Sequence, residues 1–222
     1  MMRLSTLFTF TFVMITACAF AQSPLSKTSS LYLFDDLDQI QTFHLDSQLE
    51  GYTYLGEVYS KARGVTTLSA INNINNRALR KLKTEAAMLG GEAVFIVNNY
   101  QKGVQFYAPV QVTYSAMVYT RNVLTKNQVE QLVAGKTFTD GATVIYSRNA
   151  FSPKVQSVPD QTDPFMIENI TEKNGKLFMK LTRDRTEYNY HIVSATPQKL
   201  VLAHYDVPGK VLRNLILEVQ VR

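Results

Sequence analysis

A single long stretch of this chain repeats with the period of a helix, and most of what surrounds it reads as strand. Ile71, Ile74, Ala78, Leu82, Ala86 and Leu89 recur at steps of three and four, which aligns them as one apolar stripe on a helix expected over residues 69–89. Arg77, Arg80, Lys81 and Lys83 fall mostly off that stripe, so they are expected on a solvated cationic face. Ser69 stands where it can cap the start, and Gly90-Gly91 supplies a stop at which positive φ is cheap. Asn72, Asn73, Asn75 and Asn76 lower the propensity of the first turns, so tertiary packing has to hold them.

Strand-type runs rich in β-branched and aromatic residues occupy residues 40–45, 52–60, 93–100 and 110–121 around this helix. A second, short helix is expected over residues 125–134, with Thr125 as its cap, Val129, Leu132 and Val133 on one face and Gly135 as its stop. Further strand runs follow at 137–147, 165–170, 177–181, 188–193, 200–205 and 215–221, with turn residues such as Lys173-Asn174-Gly175 and Val207-Pro208-Gly209 between the later ones. Residues 152–164, with three prolines and two aspartates, read as a surface loop. The fold class is therefore α+β. A β-β-α-β-β unit over residues 39–122, its one amphipathic helix packed on a sheet, precedes a mainly antiparallel β unit over residues 123–222. The short spacing of the last four runs implies a meander in the second unit, either a curled sheet or a small partial barrel.

Three segments of the first unit carry a family pattern: Tyr54-Leu55-Gly56-Glu57-Val58, the helix end and following strand from Lys81 to Val97 with Ala86-Ala87-Met88-Leu89-Gly90-Gly91-Glu92-Ala93-Val94 at its centre, and Ala116-Met117-Val118-Tyr119. Over about residues 39–121 the chain resembles the small domain of YbjQ-like, RcsF-like and YdgH-like bacterial envelope proteins. The resemblance implies a fold and leaves the chemistry open. RcsF-like sensing relies on disulfides, which this chain cannot form, and no ligand cluster here matches the metal-binding label sometimes given to YbjQ-like domains.

The first 21 residues read as a bacterial export signal. Arg3 supplies a positive start, residues 4–15 are uncharged, and Ala19-Phe20-Ala21 offers small side chains for cleavage after Ala21. Ile15-Thr16-Ala17-Cys18 also fits a loose lipobox, so Cys18 is the alternative site, a lipidated N-terminus. The segment is shorter than the roughly 20 apolar residues a spanning helix needs, and no later segment comes closer, so no transmembrane span is expected. Residues 22–38 read as a flexible leader. Cys18 is the only cysteine, so no intramolecular disulfide supports the fold and stability must come from burial.

Formal net charge is +5, spread along the chain, and it falls by one when Arg3 leaves with the signal. That excess reads as a solvated surface with a slight positive bias, with adhesion to anionic envelope polymers as the alternative, whereas nucleic acid is not an expected partner, because no dense Arg/Lys stripe alternates with aromatics.

Searching for catalytic chemistry leaves no catalytic, cofactor-binding or metal-ligating residue to assign. His44, His191 and His204 sit in strand-type surroundings; pairing could bring His191 and His204 onto neighbouring strands with Asp206 nearby, but the short spacing of metal ligands is missing. Asp35, Asp36 and Asp38 lack the glycine and distal glutamate of a calcium loop, and Asp160 and Asp163 read as loop residues. No Gly-x-Ser-x-Gly turn or phosphate-cradling loop is present. Arg183-Asp184-Arg185 reads as hairpin charge, and Asn169-Ile170-Thr171 as a sequon without meaning in a bacterium. Tyr188, Tyr190, Tyr205, Phe178 and Phe165 read as sheet core and cross-strand pairs, with the alternative that they line a concave sheet that holds an apolar or sugar-like ligand.

The expected function is that of a non-enzymatic binding or interaction module of the bacterial envelope, periplasmic or secreted, partnered by an envelope protein or surface polymer and by further copies of itself through exposed edge strands. The alternative is a carrier that encloses a small apolar ligand in the β-rich unit.

Overall fold

The computed structural model describes residues 37–66, 69–103, 109–150, 152–157, 163–183 and 185–220. The export signal, Cys18, Ala21, most of the expected leader, Asp35, Asp36 and Asp160 lie outside the described residues.

The chain is α+β with sheet predominating. Strands β1 (Gln41–Phe43), β2 (Thr53–Arg63), β3 (Ala93–Lys102) and β4 (Gln111–Thr120) form a four-stranded sheet in the order β1-β3-β4-β2, with helix α1 (Ile71–Met88) between β2 and β3 in the chain. Helix α2 (Lys126–Val133) leads into a larger sheet built from β5 (Thr137–Ser147), β6 (Lys154–Ser157), β7 (Phe165–Met166), β8 (Thr171–Lys173), β9 (Lys176–Arg183), β10 (Thr186–Ala195), β11 (Lys199–Val207) and β12 (Val211–Val219). Its order is β6-β5-β12-β11-β10-β9-β8, with β7 also on β5; the end strands do not meet, so the sheet is open and the barrel alternative does not hold. Strands β8 to β12 follow one another as antiparallel neighbours, which is a meander.

Helix α1 does not lie on one sheet with its back to water. It is sandwiched, touching β2 and β4 on one side and β12 on the other. One hydrophobic core joins Val58, Ala116 and Val118 of the small sheet, Ala78, Leu82 and Ala86 of the helix, and Val144, Val201 and Ile216 of the large sheet. The C-terminal half of α1 is therefore buried nearly all round, including Thr84, Glu85, Ala87 and Met88, while Ile71 at the head of the expected stripe is exposed. The opposite face of the large sheet holds a second core, where Leu200, Leu202, Leu215 and Leu217 pack with Val129 and Val133 of α2.

Local devices follow the sequence, with corrections. Thr125 and Gln128 form a reciprocal capping box on α2. Ser69 does not cap α1: Ala70 is the N-cap residue, and the Ser69 hydroxyl instead accepts from the Thr66 N–H at 3.1 Å. The asparagine-rich first turns are held from outside the helix, as Tyr114 Oη of β4 donates to Asn75 Oδ1 at 2.5 Å. At the other end Gly91 N–H reaches Ala86 O and Gly90 N–H reaches Ala87 O, both at 2.9 Å, with Gly90 at φ +80°. This doubly bonded stop aims the chain straight into β3. The expected loop over 152–164 contains β6, and the expected strand over 165–170 shrinks to β7. All four residues of β6 are exposed, so no in-and-out alternation marks it in the sequence.

Candidate functional site

The middle of α1 and the edge of β2 carry cations that the sandwich brings together. Among the described residues strand β2 pairs with β4 alone, so its other edge has no strand partner there, and the helix that follows it folds back alongside. Lys61, Ala62 and Arg63 of β2, Arg77, Arg80 and Lys81 of α1 and Asn149 in the turn after β5 line a cavity of about 350 Å³. Five of these seven side chains are cationic and none is a carboxylate. Lys81 Nζ donates to the Lys61 carbonyl at 3.3 Å, tying the helix to the strand edge at the cavity. Burial, with the Arg77 charge second, holds the Lys81 ammonium below its ordinary pKa.

Behind the cavity sits a buried ion pair. Glu85, 1% exposed, receives Arg148 Nη2 at 2.8 Å and Nε at 3.2 Å, and Tyr205 Oη donates to the same carboxylate at 3.1 Å. Tyr146 Oη donates to the Lys81 carbonyl at 3.4 Å, and the Arg148 guanidinium lies 5.7 Å from the Tyr59 ring centroid. Burial lowers the hold of Arg148 on its proton, but hydrogen bonds and charge from Glu85 outweigh it, so its pKa is raised. Burial and then the Glu85 charge push both tyrosines well above the ordinary tyrosine range. The contact between Arg148 and Glu85 ties the chain just after β5, next to Asn149, to α1.

The free edge of β2 is covered at two points. Lys176 Nζ donates to the carbonyl of Leu55, the bulged residue of β2, as Lys81 does to that of Lys61. Lysines on an edge oppose strand addition by another chain, so the surface offered for the expected self-pairing is smaller than the strand's length suggests.

The residues weighed for catalysis do not converge. His191 pairs with Ala203, so His191 and His204 lie on adjacent strands, but on opposite faces. His191 turns toward Leu55, Leu89 and Lys176 around a space of about 30 Å³, whereas His204 packs against Tyr188 and Tyr190 with ring centroids 5.3 and 5.4 Å away. Burial, and then the Lys176 charge, depress the His191 pKa to about 4. Asp206 binds Arg213, with Nη2 at 2.7 Å. His44, Asp38 and Asp163 are exposed. Among the described residues no three His, Cys, Asp or Glu side chains gather as a metal site.

The five aromatic residues are likewise split between faces. Tyr188, Tyr190 and Phe165 belong with the second core, and Tyr205 turns to Glu85. Sequence reasoning missed Lys61, Arg63, Arg148 and Asn149 altogether; the basic helix residues were legible, but as a solvated face. Comparison of the chain with models of protein families, with curated proteins and with solved structures returns no match.

Proposed function

We propose that this chain is an exported, non-enzymatic binding module of the bacterial cell envelope that holds anionic groups of a surface polymer in the basic cavity between β2 and α1. The observation that carries this reading is the lining: Lys61, Arg63, Arg77, Arg80 and Lys81 around about 350 Å³ without a carboxylate among them. Lys61, Arg63 and Arg80 are exposed there, so their charges are within reach of an anionic polymer, which a cluster of one sign attracts. The lining supplies charge and hydrogen-bond donors, which suits retention of a ligand. The carrier alternative has less support, since both faces of the large sheet are packed with side chains.

Export rests on the N-terminal 21 residues. The mature form begins at Gln22, or at an acylated Cys18 that tethers it to a membrane. Among the described residues no helix is long and apolar enough to cross a membrane. Membership of residues 39–121 in the YbjQ-like, RcsF-like and YdgH-like group belongs to the same proposal and is supported by the helix-to-strand Gly90-Gly91 stop and the strand–helix–strand order around it.

Co-sedimentation of the processed chain with a washed envelope fraction tests the reading. Wild type is expected to sediment and to be released by rising salt, and the Arg63→Glu/Arg80→Glu variant to stay in the supernatant while keeping its circular dichroism. Equal sedimentation of the two would overturn it. Mass spectrometry of the purified chain identifies Gln22 or acylated Cys18 as its first residue.

A further inference from the structure

We propose that the face of the small sheet turned away from α1 is a docking surface for an acidic polysaccharide chain, whose sugar rings lie on Tyr54, Tyr59 and Tyr100 and whose anionic groups meet Lys61, Arg63 and Lys102. The inference rests on the envelope-polymer reading above and names the class of polymer. Strand register gathers these residues. Val112, Tyr114, Ala116 and Val118 of β4 are buried in the core with α1, so Thr113, Ser115 and Tyr119 point to the other face. Tyr100 stands opposite Thr113, Tyr59 opposite Ser115 and Tyr54 opposite Tyr119, and residues opposite one another share a face.

Exposure singles this face out. Among the described residues the exposed phenylalanine and tyrosine side chains are Tyr54, Tyr59 and Tyr100, at 42%, 38% and 56%, and all three stand on it. Aromatic rings gathered in water on one surface mark a place of contact. Tyrosine offers an apolar ring with a polar tip, which suits a partner that is flat and wet at once. One side of a sugar ring is lined with C–H bonds and lies flat on an aromatic ring, while its hydroxyls reach sideways. Thr113 and Ser115, on the strand between Tyr59 and Tyr100, supply donors and acceptors at that level. Tyr54 is held in place by the edge of Tyr119, with ring centroids 5.8 Å apart, so little order is lost when a ring settles on it.

Charge selects an acidic chain. The four strands carry one acidic residue, Glu57, against Lys61, Arg63 and Lys102. The three cations fall on neighbouring rows of this face: Arg63 and Lys102 both stand opposite Gln111 and Lys61 opposite Thr113, whereas Glu57 stands opposite Met117 further along. Such a one-signed end attracts an anionic chain. Lys61 and Arg63 also line the cavity between β2 and α1, so the face is continuous with the site described above. A polypeptide partner calls for apolar anchor pockets or a strand edge, and the middle of this face is a paired strand bearing hydroxyls. Single-stranded nucleic acid also uses aromatic rings and cations, but the export signal favours polysaccharide as the polymer this face meets.

Isothermal titration calorimetry on the processed full chain, with polygalacturonate, dextran, polyglutamate and oligo(dT) as probes, tests this. Polygalacturonate is expected to bind roughly tenfold more tightly than each of the other three. Tyr100→Ala and Lys102→Gln, both outside the cavity, should each weaken it roughly fivefold with an unchanged melting temperature. Lys102→Gln decides where Tyr100→Ala lowers that temperature. Equal binding of dextran, polyglutamate or oligo(dT) would overturn the proposal, leaving in turn a neutral glycan surface, a surface that reads charge alone, or a nucleic-acid surface. Absence of polygalacturonate binding, or binding indifferent to both variants, would overturn it outright. In each of those cases, sedimentation on the envelope fraction that still depends on Arg63 and Arg80 leaves the cavity reading standing, and loss of that dependence removes it as well.

Discussion

Arg148, just after β5, bonds Glu85 near the C-terminal end of α1, and the 2.8 Å contact between Nη2 and Oε1 is a charged link between the helix and the large sheet. Glu85 is almost fully buried and Arg148 a quarter exposed. A buried pair of this kind contributes little over an apolar replacement, but losing one member strands the other. Arg148→Met should therefore cost about 3 kcal/mol, and Glu85→Met/Arg148→Met should recover at least half of that loss. Urea unfolding of the three proteins checks it. A double variant as unstable as the single one would mean that the Tyr205 bond to Glu85, not the ion pair, dominates.

Gly91 sits where the helix stop meets β4. A Cβ built there would stand 2.1 Å from Val118 Cγ1 and 3.1 Å from the Ala86 carbonyl oxygen. Gly91→Ala is expected to destabilise by about 2 kcal/mol through overpacking, and a second change, Val118→Ala, to relieve part of it. Thermal unfolding of single and double variants measures the coupling.

His191 makes stability depend on mild acid. Its pKa is about 4 in the folded chain against an ordinary 6.5, so between those values the unfolded chain binds a proton that the folded chain refuses. Stability is full above pH 6.5 and falls as pH drops toward 4, by roughly 2–3 kcal/mol over the window. His191→Gln should flatten that dependence, and Lys176→Met should shrink it by removing the nearby positive charge. Urea midpoints at pH 7 and pH 5 decide; a variant with the wild-type slope would assign the acid sensitivity to other groups.

Asn214, fully buried on β12, donates from Nδ2 to the Met88 carbonyl at 2.9 Å and to the Leu202 carbonyl at 3.2 Å. It closes the C-terminal end of α1 from a strand more than a hundred residues away. Asn214→Leu keeps the volume but deprives both carbonyls of this donor, so a loss of about 2 kcal/mol is expected. Hydrogen exchange should rise most at the last turn of α1, which separates this effect from general loosening.

Much of the fold was legible because it rests on local chemistry. The stripe from Ile74 to Leu89, the Gly90-Gly91 stop, the Thr125 cap and the turns at Asn174-Gly175 and Gly209 each act within a few residues, and each is where the chain placed it. Strand β6 was not legible, because its four residues are all exposed and carry no alternation. The candidate site was half legible. Arg77, Arg80 and Lys81 announced a cationic helix face, but nothing local links them to Lys61, Arg63 or Asn149.

The sequence by itself determined an α+β chain with one long amphipathic helix among strands and no disulfide to staple it. Only the tertiary structure decided that this helix lies between two sheets. Periodicity reports one apolar stripe, and a second contact surface built of Thr84, Glu85, Ala87 and Met88 does not register as hydrophobic until Arg148, Tyr205 and Asn214 arrive from the other sheet to satisfy its polar groups. That same sandwiching turns a solvated basic face into the wall of a cavity, because a cation's partner is set by what folds against it and not by its neighbours in the chain.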